Sequence, residues 1–181
     1  MAEGGGQGKM IAWIGAGAAV VGAFAALYGV LHHPDPKVAG YQRQVQATCG
    51  RVHALLTADH MAEIVDFSRL RPGQSVLDLP VKTNELLRVM RADLRGARQE
   101  FAVLDGAKVP HALQEQAERA KATRQDWTAA FQAAIVRVDQ HSGILRLRDL
   151  TGTLGGDAGP VSARLNDAMT ALAGADCRVT V

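Results

Sequence analysis

Cys49 and His53 stand four residues apart, a spacing that puts a thiol and an imidazole on one face of a helix. His60, Glu63 and Asp66 follow them. These are ligand types for a soft divalent metal, and Cys49, His53 and His60 form the candidate set. A structural zinc site gathers four ligands in closely spaced pairs, and neither a C-x-x-C nor an H-x-x-x-H pair occurs here. The competing reading is a disulfide between Cys49 and Cys177, the two cysteines of the chain. It would consume both thiolates and leave the histidines at the surface. An even cysteine count beside a membrane anchor favours the disulfide and an oxidising compartment. The loop it closes spans about 130 residues, and chain entropy values so long a loop at about 4–5 kcal/mol at most. No metal and no cofactor are expected.

Arg88, Arg91, Arg95 and Arg98 follow a 3-4-3 spacing, which lines four guanidinium groups along one helical stripe. Such a stripe suits an acidic partner or anionic headgroups. The alternative is a solvated face whose arginine stems cover apolar surface. Glu85 lies three residues before Arg88 and Glu115 four before Arg119, both at pairing distance on a helix.

Catalytic signatures are missing from the sequence. His60-x-x-Glu63 reverses the order used in di-iron bundles and has no second copy. No C-x-x-C-H, G-x-S-x-G or G-x-x-x-x-G-K-[ST] occurs. The Gly-rich stretch 155–159 has neither a preceding strand nor a following Lys to serve a phosphate, so it reads as a loop between helices. Trp127 and Phe131 lie one turn apart and could floor a pocket, but aromatics at that spacing belong more often to a core. With 20 basic and 18 acidic residues the net charge is +2, which offers no basic face for nucleic acid.

These residues need elements to position them. Val38, Tyr41, Val45, Cys49, Val52 and Leu56 recur at helical spacing over 37–56. Met61, Ile64, Val65 and Phe67 suggest a continuation or a second short helix. Arg71-Pro72-Gly73 marks a turn, and 76–79 reads as an extended linker. Pro80 is placed to open a helix carrying Leu87, Met90, Leu94, Ala97, Phe101 and Leu104 and ending at Asp105-Gly106. Pro110 opens the next, with Leu113, Ala117, Ala120, Trp127, Phe131, Ile135 and Val138. Ile144, Leu147, Leu150 and Leu154 allow one short helix. Pro160 opens a last helix with Val161, Leu165, Ala168, Met169 and Leu172 inward. The expected fold class is all-α: an antiparallel bundle of four main helices with one or two short ones.

Ahead of the bundle, residues 10–31 hold no charge. As a helix they would rise about 33 Å, enough to cross a bilayer. The expected organisation is a flexible polar tail (1–9), a transmembrane anchor (10–31), a Pro-rich joint (32–37) and the bundle (38–181). Trp13 and Tyr28 sit near the ends of the span, where amphipathic rings favour the headgroup level. Ala23-Phe24-Ala25 matches a cleavage site, but cutting after Ala25 would leave an apolar stub, so an uncleaved anchor is expected. Gly15, Gly22 and Gly29 recur every seven residues and would allow close packing against another span; a generic small-residue anchor is the alternative.

Lys37, Arg43 and Arg51 follow the span and only Lys9 precedes it, which by the positive-inside rule would hold the bundle in the cytoplasm. Long domains translocate largely regardless of that charge, and the cysteine pair favours the oxidising side. The expected location is therefore the cell membrane, single-pass, with the C-terminal domain outside the cytoplasm. The expected function is a non-enzymatic interaction or scaffold module, with the bilayer and a protein partner or a second copy as companions. A ligand- or metal-sensing domain working through a partner is the alternative. An enzyme whose active site is assembled from separate helices stands third.

Overall fold

The computed structural model describes residues 35–180, and over 151–158 the backbone path alone. The proposed span 10–31, its Gly15, Gly22 and Gly29, the Ala25 cleavage site and most of the Pro-rich joint lie outside the described residues. Among those described, no helix is long and apolar enough to cross a membrane.

Helix α1 runs Pro36–Leu56. A proline suits a first turn because its missing N–H has no partner there in any case. Tyr41, Val45, Cys49 and Val52 form its buried seam. Helix α2 is one turn, Met61–Ile64, followed by 3-10 turns at Phe67–Arg69 and Val76–Asp78. Asp66 and Ser75 cap these turns with their side chains. Helix α3 is Thr83–Asp105, and its seam of Leu87, Met90, Leu94, Ala97, Phe101 and Leu104 is buried. After a 3-10 turn at His111–Leu113, α4 runs Gln114–Asp139 and α5 runs Leu147–Ala173.

The long helices pack as a four-membered all-helical bundle. Arg51 of α1 meets Glu100 of α3 at 2.6 Å, and Arg91 of α3 meets Asp139 of α4 at 3.5 Å. Toward the other end of the same pair, Arg124 of α4 meets Asp105 of α3, so these two helices run antiparallel. Gln46 of α1 donates to the Ala173 carbonyl at the end of α5 (3.0 Å), closing the ring. The core is aliphatic, with Val45, Val52, Val138, Leu165, Met169 and Leu172 without solvent exposure. Trp127 stands edge-on to Phe101 (centroids 6.1 Å apart) and is tilted against Phe131 (5.1 Å), so this aromatic cluster is core.

Three expectations are corrected. Pro80 does not open α3; it lies in an isolated bridge opposite Arg146. There Val81 N donates to Leu145 O (2.8 Å), Leu147 N to Leu79 O (3.2 Å) and Lys82 N to Ile64 O (2.7 Å). Proline tolerates an irregular pairing that does not ask for its missing donor. Second, 76–79 begins as a 3-10 turn rather than an extended linker, because the Ser75 hydroxyl accepts from Leu77 N and Asp78 pairs with Arg148 of α5. Third, the short helix, the Gly-rich loop and the last helix are one continuous helix, with Pro160 inside it. Glycine costs a helix about 1 kcal/mol and proline about 3. Burial of Leu150 on one side of the proline and of Leu165, Met169 and Leu172 on the other supplies the compensating packing.

The C-terminal segment is held by more than the disulfide. Gly174 ends α5 in the left-handed region (φ +66°), the conformation that best suits glycine. The chain then turns back past Cys177. Asn166 on α5 brackets it, accepting from Val179 N (2.8 Å) and Thr180 N (3.1 Å) and donating to Thr180 O (3.2 Å). Val179 is fully buried beneath.

Candidate functional site

Helix α3 presents its apolar seam to the core, which leaves the arginine stripe on the adjoining face. The structure gathers all four arginines on one wall. Arg88, Arg91, Arg95 and Arg98 line a groove of about 460 Å³, with Asn84 and Leu94 of α3 and Gln132 and Ile135 of α4. Arg88 is anchored by Glu85 (2.8 Å) and by Glu63 of α2. Arg91 is held more loosely by Asp139. Among the described residues, no acidic partner meets Arg95 or Arg98. The lining offers guanidinium, amide and aliphatic groups and contains no carboxylate, imidazole or thiol. Guanidinium and amide groups at such a surface are hydrogen-bond donors of the kind that suits anions.

A second depression of about 350 Å³ continues from the first at Arg98 and is lined by Phe101, Asp105, Lys121, Arg124, Gln125, Thr128 and Ala129. Arg124 is almost wholly buried. Its guanidinium pairs with Asp105 at 2.6 Å, lies 5.7 Å from the Phe101 ring centre and touches the Met169 sulfur. A buried charge needs such partners, and these fix the group in place. Tyr41 lies near the same pair: burial pushes its phenol up, opposed by Arg124 and assisted by Asp105.

The cysteine and histidine candidates separate. Cys49 and Cys177 form a disulfide with Cα atoms 5.7 Å apart, so neither offers a thiolate. His53 lies one turn on, beside a groove shared with Asn166, Asp167, Asp176, Arg178 and Thr180. Its Nδ1 and the Thr180 hydroxyl are buried without a hydrogen-bond partner. His60 points elsewhere, 3.2 Å from Glu63. Glu63 accepts from both His60 and Arg88, which draws its carboxyl below the usual range. Burial pushes the nearby Asp93 carboxyl up, and His60 partly offsets this. Among the described residues no group of three or more metal-ligating side chains converges.

Sequence reasoning found the α3 wall and missed the α4 wall. Lys121, Gln125, Thr128 and Gln132 recur at a 4-3-4 spacing; Gln132 lines the arginine groove and the other three share the second depression with Arg98. Arg124 occupies a core register between Ala120 and Trp127, the one sign of a buried cation. Asn166 gave no signal, because its partners are backbone groups of an irregular segment. Comparison with protein-family models, curated proteins and solved structures finds no match for this chain.

Proposed function

We propose that this chain is a single-pass, membrane-anchored, non-enzymatic interaction module. Its helical domain, outside the cytoplasm, docks an acidic segment of a protein partner in the groove between α3 and α4. The observation that carries the docking reading is the convergence of Arg88, Arg91, Arg95 and Arg98 on one groove lined without an acid. Arginine pairs with carboxylates through two parallel hydrogen bonds, and Leu94 and Ile135 add an apolar floor for aliphatic side chains. The anchor reading rests on the uncharged stretch 10–31.

A photo-crosslinker placed at Gln132 of the full chain in its native membrane tests the docking. Crosslinks mapping to a carboxylate-rich partner segment, and abolished by Arg95→Glu with Arg98→Glu, are the expected result. Crosslinks to neutral or basic segments, or ones indifferent to the charge reversal, would refute it.

A further inference from the structure

The wall of arginines ends in a pocket that differs from the groove, and nothing in the stripe itself implies it. Arg98 reaches in from α3 while Lys121 and Arg124 come from α4, with Gln125 and Thr128 completing the polar lining. The single acid present is Asp105, already paired with Arg124. Three cations and one carboxylate leave two positive charges facing one depression. A carboxylate would neutralise half of that excess. A phosphate group carries about −1.5 to −2 at neutral pH and three acceptor oxygens, which matches the surplus and the number of donors.

The cations are also unequal in mobility. Arg124 is buried and fixed by Asp105, Phe101 and Met169, so it contributes a preset donor. Arg98 and Lys121 are exposed, and among the described residues neither has an acidic partner. A rigid buried cation flanked by two free ones is an arrangement that closes on an oxyanion with little reorganisation. The Thr128 hydroxyl spends its one hydrogen on the Arg124 carbonyl (2.6 Å), so the neutral donor left in the lining is the Gln125 amide.

We infer that the pocket formed by Arg98, Lys121 and Arg124 binds a phosphate dianion, either free or as the terminal phosphate of a lipid headgroup. The inference deepens the docking reading above and rests on it only in assigning this face of α3 and α4 to anions.

The test uses the full chain. In mild detergent, inorganic phosphate is titrated by calorimetry and by phosphorus NMR, with acetate as the singly charged control. Phosphate should bind and acetate at the same concentration should not displace it. Arg98→Gln and Lys121→Gln should each weaken phosphate about tenfold, the scale of losing one charge-assisted hydrogen bond. Both residues are exposed, so folding is unaffected. Arg43→Gln, at an exposed position of α1 that lines neither the groove nor the pocket, should leave phosphate binding unchanged. In nanodiscs, phosphatidic acid that suppresses the phosphate titration identifies the headgroup as source. Equal titration with and without it identifies free phosphate.

Absence of phosphate binding in detergent overturns the inference, as does binding indifferent to Arg98→Gln and Lys121→Gln. The docking reading fails separately, through the Gln132 crosslinks. Crosslinks retained without phosphate binding sink the pocket alone.

Discussion

Replacing Cys49 and Cys177 together by alanine removes a link across 128 residues of sequence. For a loop of that length the chain-entropy relation gives about 5 kcal/mol of stability, held mainly by restricting the unfolded chain. Native contacts around the link are otherwise kept, since the Asn166 bracket and the Val179 anchor do not depend on sulfur. Unfolding entropy near the midpoint is about 2 cal/mol/K per residue, so a domain of this size should lose roughly 15 °C in Tm. The measurement is thermal and urea unfolding of the oxidised chain and the double variant, followed by circular dichroism in the same detergent. A change in urea midpoint with a steeper dependence on denaturant is expected, because the unlinked chain exposes more surface when unfolded. A loss below about 1 kcal/mol would refute the reasoning: it would mean that the unfolded chain is not restricted by a long covalent loop. Because Cys49 and Cys177 are 3% and 2% exposed, reductant should reach them only through opening of the fold. Thiol labelling in intact cells should therefore require reductant and proceed slowly even then, and two free thiols reached only after lysis would put the domain in the cytosol.

Three further outcomes are expected. Asn166→Ala strips two backbone donors and one acceptor of their partner, which should cost about 2–4 kcal/mol and raise hydrogen exchange at Val179 and Thr180 first. Burial raises the Asp93 carboxyl pKa in the fold, so the fold favours its neutral form. The resulting penalty is absent at low pH, grows as pH rises from the unfolded value through the raised folded one, and is complete above it. Asp93→Asn should accordingly raise Tm at neutral pH and leave it unchanged in acid, as thermal scans across pH will show. Gly174→Ala forces a side chain into the left-handed region and brings its Cβ to 2.5 Å from Gln42 Nε2, a loss of about 1–2 kcal/mol readable by urea unfolding.

The seams of α1 and α3 were legible because their apolar residues keep the helical period, that of α4 was legible despite Arg124 standing in it, and the end of α3 at Asp105-Gly106 carried its own stop signal. The path through residues 155–160 was not. Local propensity there argues for a break, and only the burial of residues on both sides of Pro160, a long-range effect, holds the helix together. Pro80 misled for a related reason: whether such a residue starts a helix or sits in a bridge depends on Leu145, Arg146 and Leu147, far along the chain. For the site, one wall could be read from the spacing of four arginines. The facing wall could not, since nothing local tells which polar stripe of α4 will lie against α3.

The covalent bond between α1 and the returning C-terminal segment also sets how load would travel through the molecule. Tension applied between residue 35 and residue 180 would run along the opening turns of α1, across the sulfur bridge and out through the last few residues. Everything between positions 49 and 177 sits in parallel with that path and would carry almost none of the pull. The bundle interior, and with it the arginine groove, is mechanically shunted: a tug on the tail would fray the start of α1 before it disturbed α3 against α4.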